Sequence, residues 1–317
     1  MNRLLGIHHV SAIAGDPQRC LDFYAGALGM RLVKMTVNFD DPRTYHLYFG
    51  DATGTPGSIL TFFPWPRSRR GRPGPGMIAG VSLATPLGSL GFWTQRLLER
   101  GVPYEGPMSR KEGPEGERVL AFTDPDGLRL EIVGTPEEAS AGWEGDVGVP
   151  AEHTIRGIHR VTLWEERLES TERTLLDTLG FRNLDEHART KRYGLGDTVP
   201  GASVEVREVG EFIPGVEGPG TAHHVAWRVA GEAGQLELRD RLSRAGLQPT
   251  EVIDRQYFRS VYFREPGNVL FELATDGPGF TVDEPVERLG TGLMLPPPYE
   301  QQRERIVSRL PTLEIPR

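Results

Sequence analysis

The chain has 317 residues, with 36 basic against 44 acidic side chains and a formal charge of −8. That length suits about two domains, and the acidic balance argues against nucleic acid as a partner. One cysteine, Cys20, excludes an intrachain disulfide and a cysteine-rich zinc site.

No apolar run approaches the roughly 20 residues of a membrane span, and the opening MNRLLGIHHVSAIAGD lacks an apolar stretch followed by a cleavage motif. A cytoplasmic protein with no membrane partner is expected. The first segment, GIHHVSAIAGDPQRCLDFYAGALGM, reads as a strand followed by a helix, with Leu21, Tyr24 and Leu28 at helical spacing and Gly29 as the stop. Two β-rich runs follow, Tyr45–Phe49 and Ile59–Phe63. The basic stretch Arg67 to Arg72 lies among prolines and glycines and reads as a solvated loop.

The same plan then returns three times. GMIAGVSLATPLGSLGFWTQRLLERGV leads to Val119–Phe122 and Leu128–Val133, joined by the turn at 123–127. After a linker rich in Gly, Pro and small or acidic residues come GIHRVTLWEERLESTERTLLDTLGF and Val204–Val206. AHHVAWRVAGEAGQLELRDRLSRAGL leads to Tyr257–Phe263 and Val269–Leu273 around the turn at 265–268. Each copy is a strand, a helix and about three strands, too little to cover its own sheet, so copies should pair. The predicted organisation is a pair of modules at 1–135, a linker at 136–155, a second pair at 156–276 and a tail at 277–317. The tail holds a short helix from about Tyr299 to Leu310, either dispensable or covering a cavity mouth.

Two histidine pairs fall at one place in the plan: His8-His9 in copy one and His223-His224 in copy four. Copy three has His159-Arg160 there and copy two Ala79-Gly80. In the last strands, counting seven from the acid that opens each turn gives Glu131 and Glu272. Copy one has no carboxylate there, and copy three offers Val206 with Glu205 one residue away. A Glu among Val269, Leu270, Phe271 and Leu273 is costly to bury as an ion unless paired or metal-bound. If copies one and four face each other, His9, His224 and Glu272 converge as two imidazoles and one carboxylate, a set that leaves open positions on an octahedral metal and suits non-haem Fe(II), with Mn(II) also accepted. Glu131 is expected to pair with an arginine, and His46, His153 and His187 carry no positional support.

The opening GIHHVSAIAGDPQRCLDFYAGALGMRLVKMTVNFDDPRTYHLYFGD resembles the vicinal oxygen chelate superfamily of βαβββ modules, which includes glyoxalase I, bleomycin-resistance proteins and extradiol dioxygenases. The four-module length, the LTFFPWP run and the LMLPPPYEQQRERIVSRLP tail are more similar to hydroquinone-type ring-cleaving dioxygenases. The resemblance implies an α+β fold in which each sheet is a half-open barrel around a cavity. It implies metal ligands at His9, His224 and Glu272, neighbouring histidines at His8 and His223, and a pocket lined by Arg255 and Tyr262. His8, His223 and Tyr262 would then serve proton transfer, and Arg255 would face a developing oxyanion. Arg259 is a competing candidate for that role. Catechol-cleaving relatives that take all three ligands from the C-terminal half would need a histidine where Arg160 stands, and a guanidinium does not ligate metal.

The expected function is therefore a non-haem Fe(II)-dependent ring-cleaving dioxygenase acting with O₂ on a hydroquinone or related aromatic diol. The alternatives are a glyoxalase-like metal-dependent isomerase or lyase, which would want two carboxylates, and a non-catalytic protein that binds a small aromatic. Homo-oligomerisation is expected from general frequency alone.

Overall fold

The computed structural model describes residues 3–110, 117–136, 142–196 and 201–316. Module one comprises β1 (Ile7–Ala14), α1 (Pro17–Leu21, continuing in wider turns over Asp22–Ala27), β2 (Arg31–Val37), β3 (Tyr45–Gly50) and β4 (Ile59–Pro64). Module two comprises β5 (Met77–Pro86), α2 (Leu90–Glu99), β6 (Tyr104–Ser109), β7 (Arg118–Thr123) and β8 (Arg129–Thr135). Module three comprises β9 (Gly157–Glu165), α3 (Leu168–Arg173, again continuing in wider turns over Thr174–Leu179), β10 (Arg182–His187), β11 (Thr190–Gly194) and β12 (Ser203–Glu208). Module four comprises β13 (Thr221–Val229), α4 (Glu232–Arg244), β14 (Ile253–Asp254), β15 (Phe258–Arg264) and β16 (Leu270–Pro278). The local chemistry is plain at α1, where Asp16 accepts a hydrogen bond from the Arg19 amide and Pro17 opens the first turn. Gly29 closes that helical segment at φ +67°.

Neither half of the chain closes a sheet of its own. The first eight-stranded sheet runs β14-β15-β16-β13-β1-β4-β3-β2 and the second β10-β11-β12-β9-β5-β8-β7-β6, so copy one joins copy four and copy two joins copy three. Each sheet is therefore drawn from both halves of the chain. The joins are antiparallel, β1 with β13 and β5 with β9. Tyr24 of the α1 segment packs on Phe62 with ring centroids 4.2 Å apart, while Trp227, Phe263 and Phe271 pack together under module four. Phe62 and Trp227 thus belong to the core.

The β1–β13 ladder is interrupted twice. Its register skips His8 between Ile7 and His9, and skips His223 between Ala222 and His224. A bulge leaves one residue unpaired and bends the strand, so both members of each histidine pair can turn toward one neighbourhood although a regular strand would send them to opposite faces.

The expected linker lies partly outside the described residues, at 137–141. Its described part packs against the core through Val149, and Arg96 of α2 donates to the Val147 and Gly148 carbonyls. The tail forms a 3₁₀ turn at Pro297–Gln302 and a short helix, α5 (Arg303–Val307), within the span expected to be helical. It also supports the cavity rim: Met294 donates to the Met35 carbonyl at 2.9 Å and the Tyr299 hydroxyl to the Phe39 carbonyl at 2.8 Å. Among the described residues, no helix is long and apolar enough to cross a membrane.

Candidate metal centre

Along every module's parallel pairing of first and last strand, one position recurs. Ala226 of β13 stands opposite Glu272 of β16, two residues past His224. By the same register Ser11 faces Thr61, Ser82 faces Glu131, and Thr162 faces Glu205. Copy three therefore holds a carboxylate, Glu205, at the place where counting along the sequence put Val206. The count failed because copy three has no acid seven residues before Glu205, where Thr198 stands.

In the first sheet this register brings three side chains together. His9 Nε2 and His224 Nε2 lie 3.3 Å apart, and they approach Glu272 Oε2 at 3.2 and 2.9 Å. Adjacent ligands of an octahedral cation with bonds of about 2.1 Å stand about 3.0 Å apart. The three atoms therefore have the spacing of one octahedral face. All three residues are buried, and Glu272 Oε2 makes no hydrogen bond of its own. Glu272 Oε1 instead accepts from Ser260 Oγ at 2.5 Å, which turns the other oxygen to the histidines. Among the described residues, this is the group of histidine, cysteine and carboxylate side chains disposed to hold a metal ion.

Hydrogen bonds settle which nitrogen His9 offers. His8 Nε2 lies 3.1 Å from the Thr275 carbonyl, which only accepts, so His8 carries its proton there. His8 Nδ1 then accepts from His9 Nδ1 at 2.9 Å, leaving the lone pair of His9 on Nε2, where a metal would sit. His223 and His224 repeat the contact at 2.8 Å between their Nδ1 atoms. The two outer histidines differ in surroundings, for His8 packs behind His9 against Phe258 whereas His223 lines the cavity that His9 and His224 also line.

Electrostatics agrees with this donor set. Burial lowers the His224 pKa, and burial together with the neighbouring imidazole brings His8 to about 3 and His223 to about 4. Burial opposes charge on Glu272, but the adjacent histidines outweigh it and hold the carboxyl well below its ordinary range. A carboxylate beside two imidazoles is a donor set that a divalent cation takes.

A cavity of about 280 Å³ opens on the triad, lined by residues from six strands of the first sheet, which therefore curls around it. Phe63, Trp65, Phe258 and Leu270 supply apolar wall. Tyr262 stands directly opposite Glu272 in the β15–β16 hairpin and packs edge-on to His224, with ring centroids 5.6 Å apart. Arg255 also reaches the cavity, its guanidinium 5.4 Å from the Tyr262 ring centre and 3.4 Å from Asp40. Arg259 is not among the lining residues. It points outward and pairs with Glu232 at 3.0 Å, which corrects the expectation that it could compete with Arg255. His46, which had no support in the sequence, lines the cavity too, as do Ser11 and Tyr48.

The second sheet shows what becomes of the same positions without histidines. Arg160, fully buried, replaces the second histidine, with Nη1 2.8 Å from Glu117, Nη2 3.9 Å from Glu131 and Nε 3.8 Å from Glu205. Glu131 also pairs with Arg110. Burial disfavours charge on Glu117, yet His159 and Arg160 hold its carboxyl down at about 2.

Paired βαβββ modules with a two-histidine, one-carboxylate cluster in one sheet define a protein of vicinal oxygen chelate architecture. A family model described as the Glyoxalase/Bleomycin resistance protein/Dioxygenase superfamily matches residues 6–132. The chain is 42% identical to MhqO of Bacillus subtilis, provisionally named a ring-cleaving dioxygenase, over 99% of this chain and 98% of that one. It is 33% identical to the chlorohydroquinone/hydroquinone 1,2-dioxygenase of Sphingobium indicum, over 96% and 95% of the two chains. A crystal structure from Bacillus subtilis, provisionally described as a dioxygenase, matches with a TM-score of 0.92 at 41% identity, covering 100% and 99% of the chains. Glyoxalase I from Zea mays shares the fold at 14% identity, with a TM-score of 0.61 over 87% and 93%. The chain belongs to the glyoxalase, bleomycin resistance protein and dioxygenase superfamily. Within it, the chain stands with the ring-cleaving dioxygenases and is an enzyme of that class.

Proposed function

We propose that this enzyme is a non-haem Fe(II) dioxygenase that cleaves a single-ring hydroquinone, or a related aromatic diol, with O₂. The observation that carries the reading is the triad His9, His224 and Glu272, with its unbonded Glu272 oxygen and octahedral-face spacing, beside a cavity walled by aromatic rings. At about 280 Å³ the cavity is at the small end for ligand sites, in keeping with one ring. The hydroquinone dioxygenase activity named for the Sphingobium relative supports the same substrate class.

His9, His224 and Glu272 would hold the iron, which supplies the redox link between substrate and O₂. The remaining residues bind and move protons. Phe63 and Trp65 would flank the ring and keep water from it. Burial, and then the charge of Glu272, raises the Tyr262 pKa well above its ordinary value, so its hydroxyl stays protonated and can donate to a substrate oxygen. Arg255 brings a fixed positive charge to the same wall, where it would stabilise a phenolate. His223 would present its Nε2–H at the cavity, while His8 would orient His9 from behind. The single carboxylate weighs against the glyoxalase-like reading, because Thr61 stands in copy one where copy four has Glu272.

The test is O₂ uptake by protein loaded anaerobically with Fe(II), then with Mn(II), and offered hydroquinones and catechols. Uptake matched by ring loss, and abolished in His224→Ala without loss of fold, is the expected result. Stoichiometric metal binding without uptake on any diol overturns the dioxygenase reading.

A further inference from the structure

The cavity also carries a polar chain that no metal ligand belongs to. Ser11 Oγ lies 2.9 Å from Thr61 Oγ1, Thr61 Oγ1 2.8 Å from His46 Nε2, and His46 Nδ1 2.9 Å from the Tyr48 hydroxyl. All four residues are buried, and Ser11, His46 and Tyr48 line the cavity. The imidazole is clamped between the Tyr48 and Phe63 rings, each with a centroid 4.0 Å away. Ser11 is two residues along β1 from His9, hence on the same face, and stands across the ladder from His224.

Counting hydrogens makes the chain unusual. Three hydroxyls and one neutral imidazole carry four mobile hydrogens, and three are consumed by the three internal bonds. One remains for the cavity. In one polarity Tyr48 donates to His46, His46 to Thr61 and Thr61 to Ser11, so the spare hydrogen sits on Ser11. In the reverse polarity it sits on Tyr48, and Ser11 offers a lone pair instead. Passing one proton along the chain converts one polarity into the other, with a proton taken at one end for each released at the other.

We infer that Tyr48, His46, Thr61 and Ser11 form a proton relay of the substrate site, with Ser11 accepting the proton that an aromatic diol gives up on binding and Tyr48 releasing one to solvent water in the cavity that both residues line. His46 is the pivot, because only an imidazole can receive at one nitrogen while giving from the other. Thr61 and His46 act through Ser11 and Tyr48 and are positioning residues. This inference rests on the dioxygenase reading for its substrate, and it assigns a role to the position that in copy four carries the metal-binding carboxylate.

Thr61→Val keeps the side-chain shape and removes the link, and Thr61→Ser keeps the hydroxyl. His46→Phe keeps the stacking and removes both bonds. The expected result is a kcat lowered about tenfold or more in Thr61→Val and His46→Phe, restored in Thr61→Ser, with metal stoichiometry unchanged in all three. Proton release during anaerobic binding of unsubstituted hydroquinone, followed with a pH indicator, should fall in Thr61→Val and return in Thr61→Ser. Equal kcat and equal proton release in Thr61→Val and wild type overturn the relay and leave the dioxygenase reading standing. Metal loss in Thr61→Val also overturns it, by making Thr61 a structural support of the triad. A wild-type protein that neither binds nor consumes any diol defeats both, and it does so before any variant is compared.

Discussion

Arg160 in β9 and His224 in β13 hold the same register position, each two residues before the residue that faces a last-strand glutamate, Glu205 for one and Glu272 for the other. The fold thus builds one centre twice. In one sheet the carboxylate faces imidazoles that a cation can share. In the other a guanidinium supplies the positive charge from within the chain, and Glu117, Glu131 and Glu205 gather around it.

Removing that internal cation should be costly. Arg160→Met leaves buried carboxylates without their shared partner, and a broken buried pair destabilises by about 3–5 kcal/mol. Chemical denaturation is expected to show that loss, while the metal content of the first-sheet site stays at the wild-type level. A stability within about 1 kcal/mol of wild type would mean that Arg110 and Arg192, the latter 3.4 Å from Glu117 and 3.8 Å from Glu205, neutralise the cluster by themselves.

His8 should matter to metal affinity although it is set behind the ligand. His8→Phe retains a ring against Phe258 but no longer accepts the His9 Nδ1–H that leaves Nε2 free. Competition with a chelator is expected to show metal binding about 10- to 100-fold weaker. Unchanged affinity would show that the His9 tautomer needs no such support.

Arg255 and Arg259 separate by the side of the sheet on which they act. Arg255→Met is expected to lower kcat/KM by about 100-fold, whereas Arg259→Met, which loses an exposed pair with Glu232, should stay within about twofold. The reverse order in steady-state assays would place the substrate's anionic oxygen elsewhere.

A pH effect on stability should come from far outside the cavity. Glu165 at the end of β9 and Glu265 in the β15–β16 turn are both buried. Burial, and then the charge of Glu265, raises the Glu165 pKa from 4.5 to about 8. The folded protein therefore keeps a proton that the unfolded chain gives up near 4.5, so this contribution is full below that pH and is lost as pH rises toward 8. Melting temperature is expected to fall across that window in wild type and to fall less in Glu165→Gln. Parallel curves for the two proteins would rule the pair out as the cause.

The meeting of His9, His224 and Glu272 was legible in the sequence because repetition stood in for geometry. His9, His224 and Glu272 occupy places fixed by a plan that recurs four times, and the turn at 265–268 sets the hairpin in which Tyr262 meets Glu272. Strand alternation and turn chemistry are local, and local rules can be read along a chain. What they could not supply was register between strands distant in sequence. Glu205 was misplaced by one residue because Thr198, not an acid, stands seven residues before it, and a one-residue shift moves a side chain to the other face. Arg255 and Arg259 were not separable, since the β15–β16 register breaks between Phe258 and Ser260. Ser260 and His46 left no mark at all: each acts on a side chain of another strand, the Glu272 carboxylate for one and the Thr61 hydroxyl for the other. The sequence by itself determined the modules and the three side chains of the triad. Tertiary structure decided which modules share a sheet, where the bulges turn His8 and His223, and which neutral side chains meet around the cavity, because those contacts exist only once distant strands have paired.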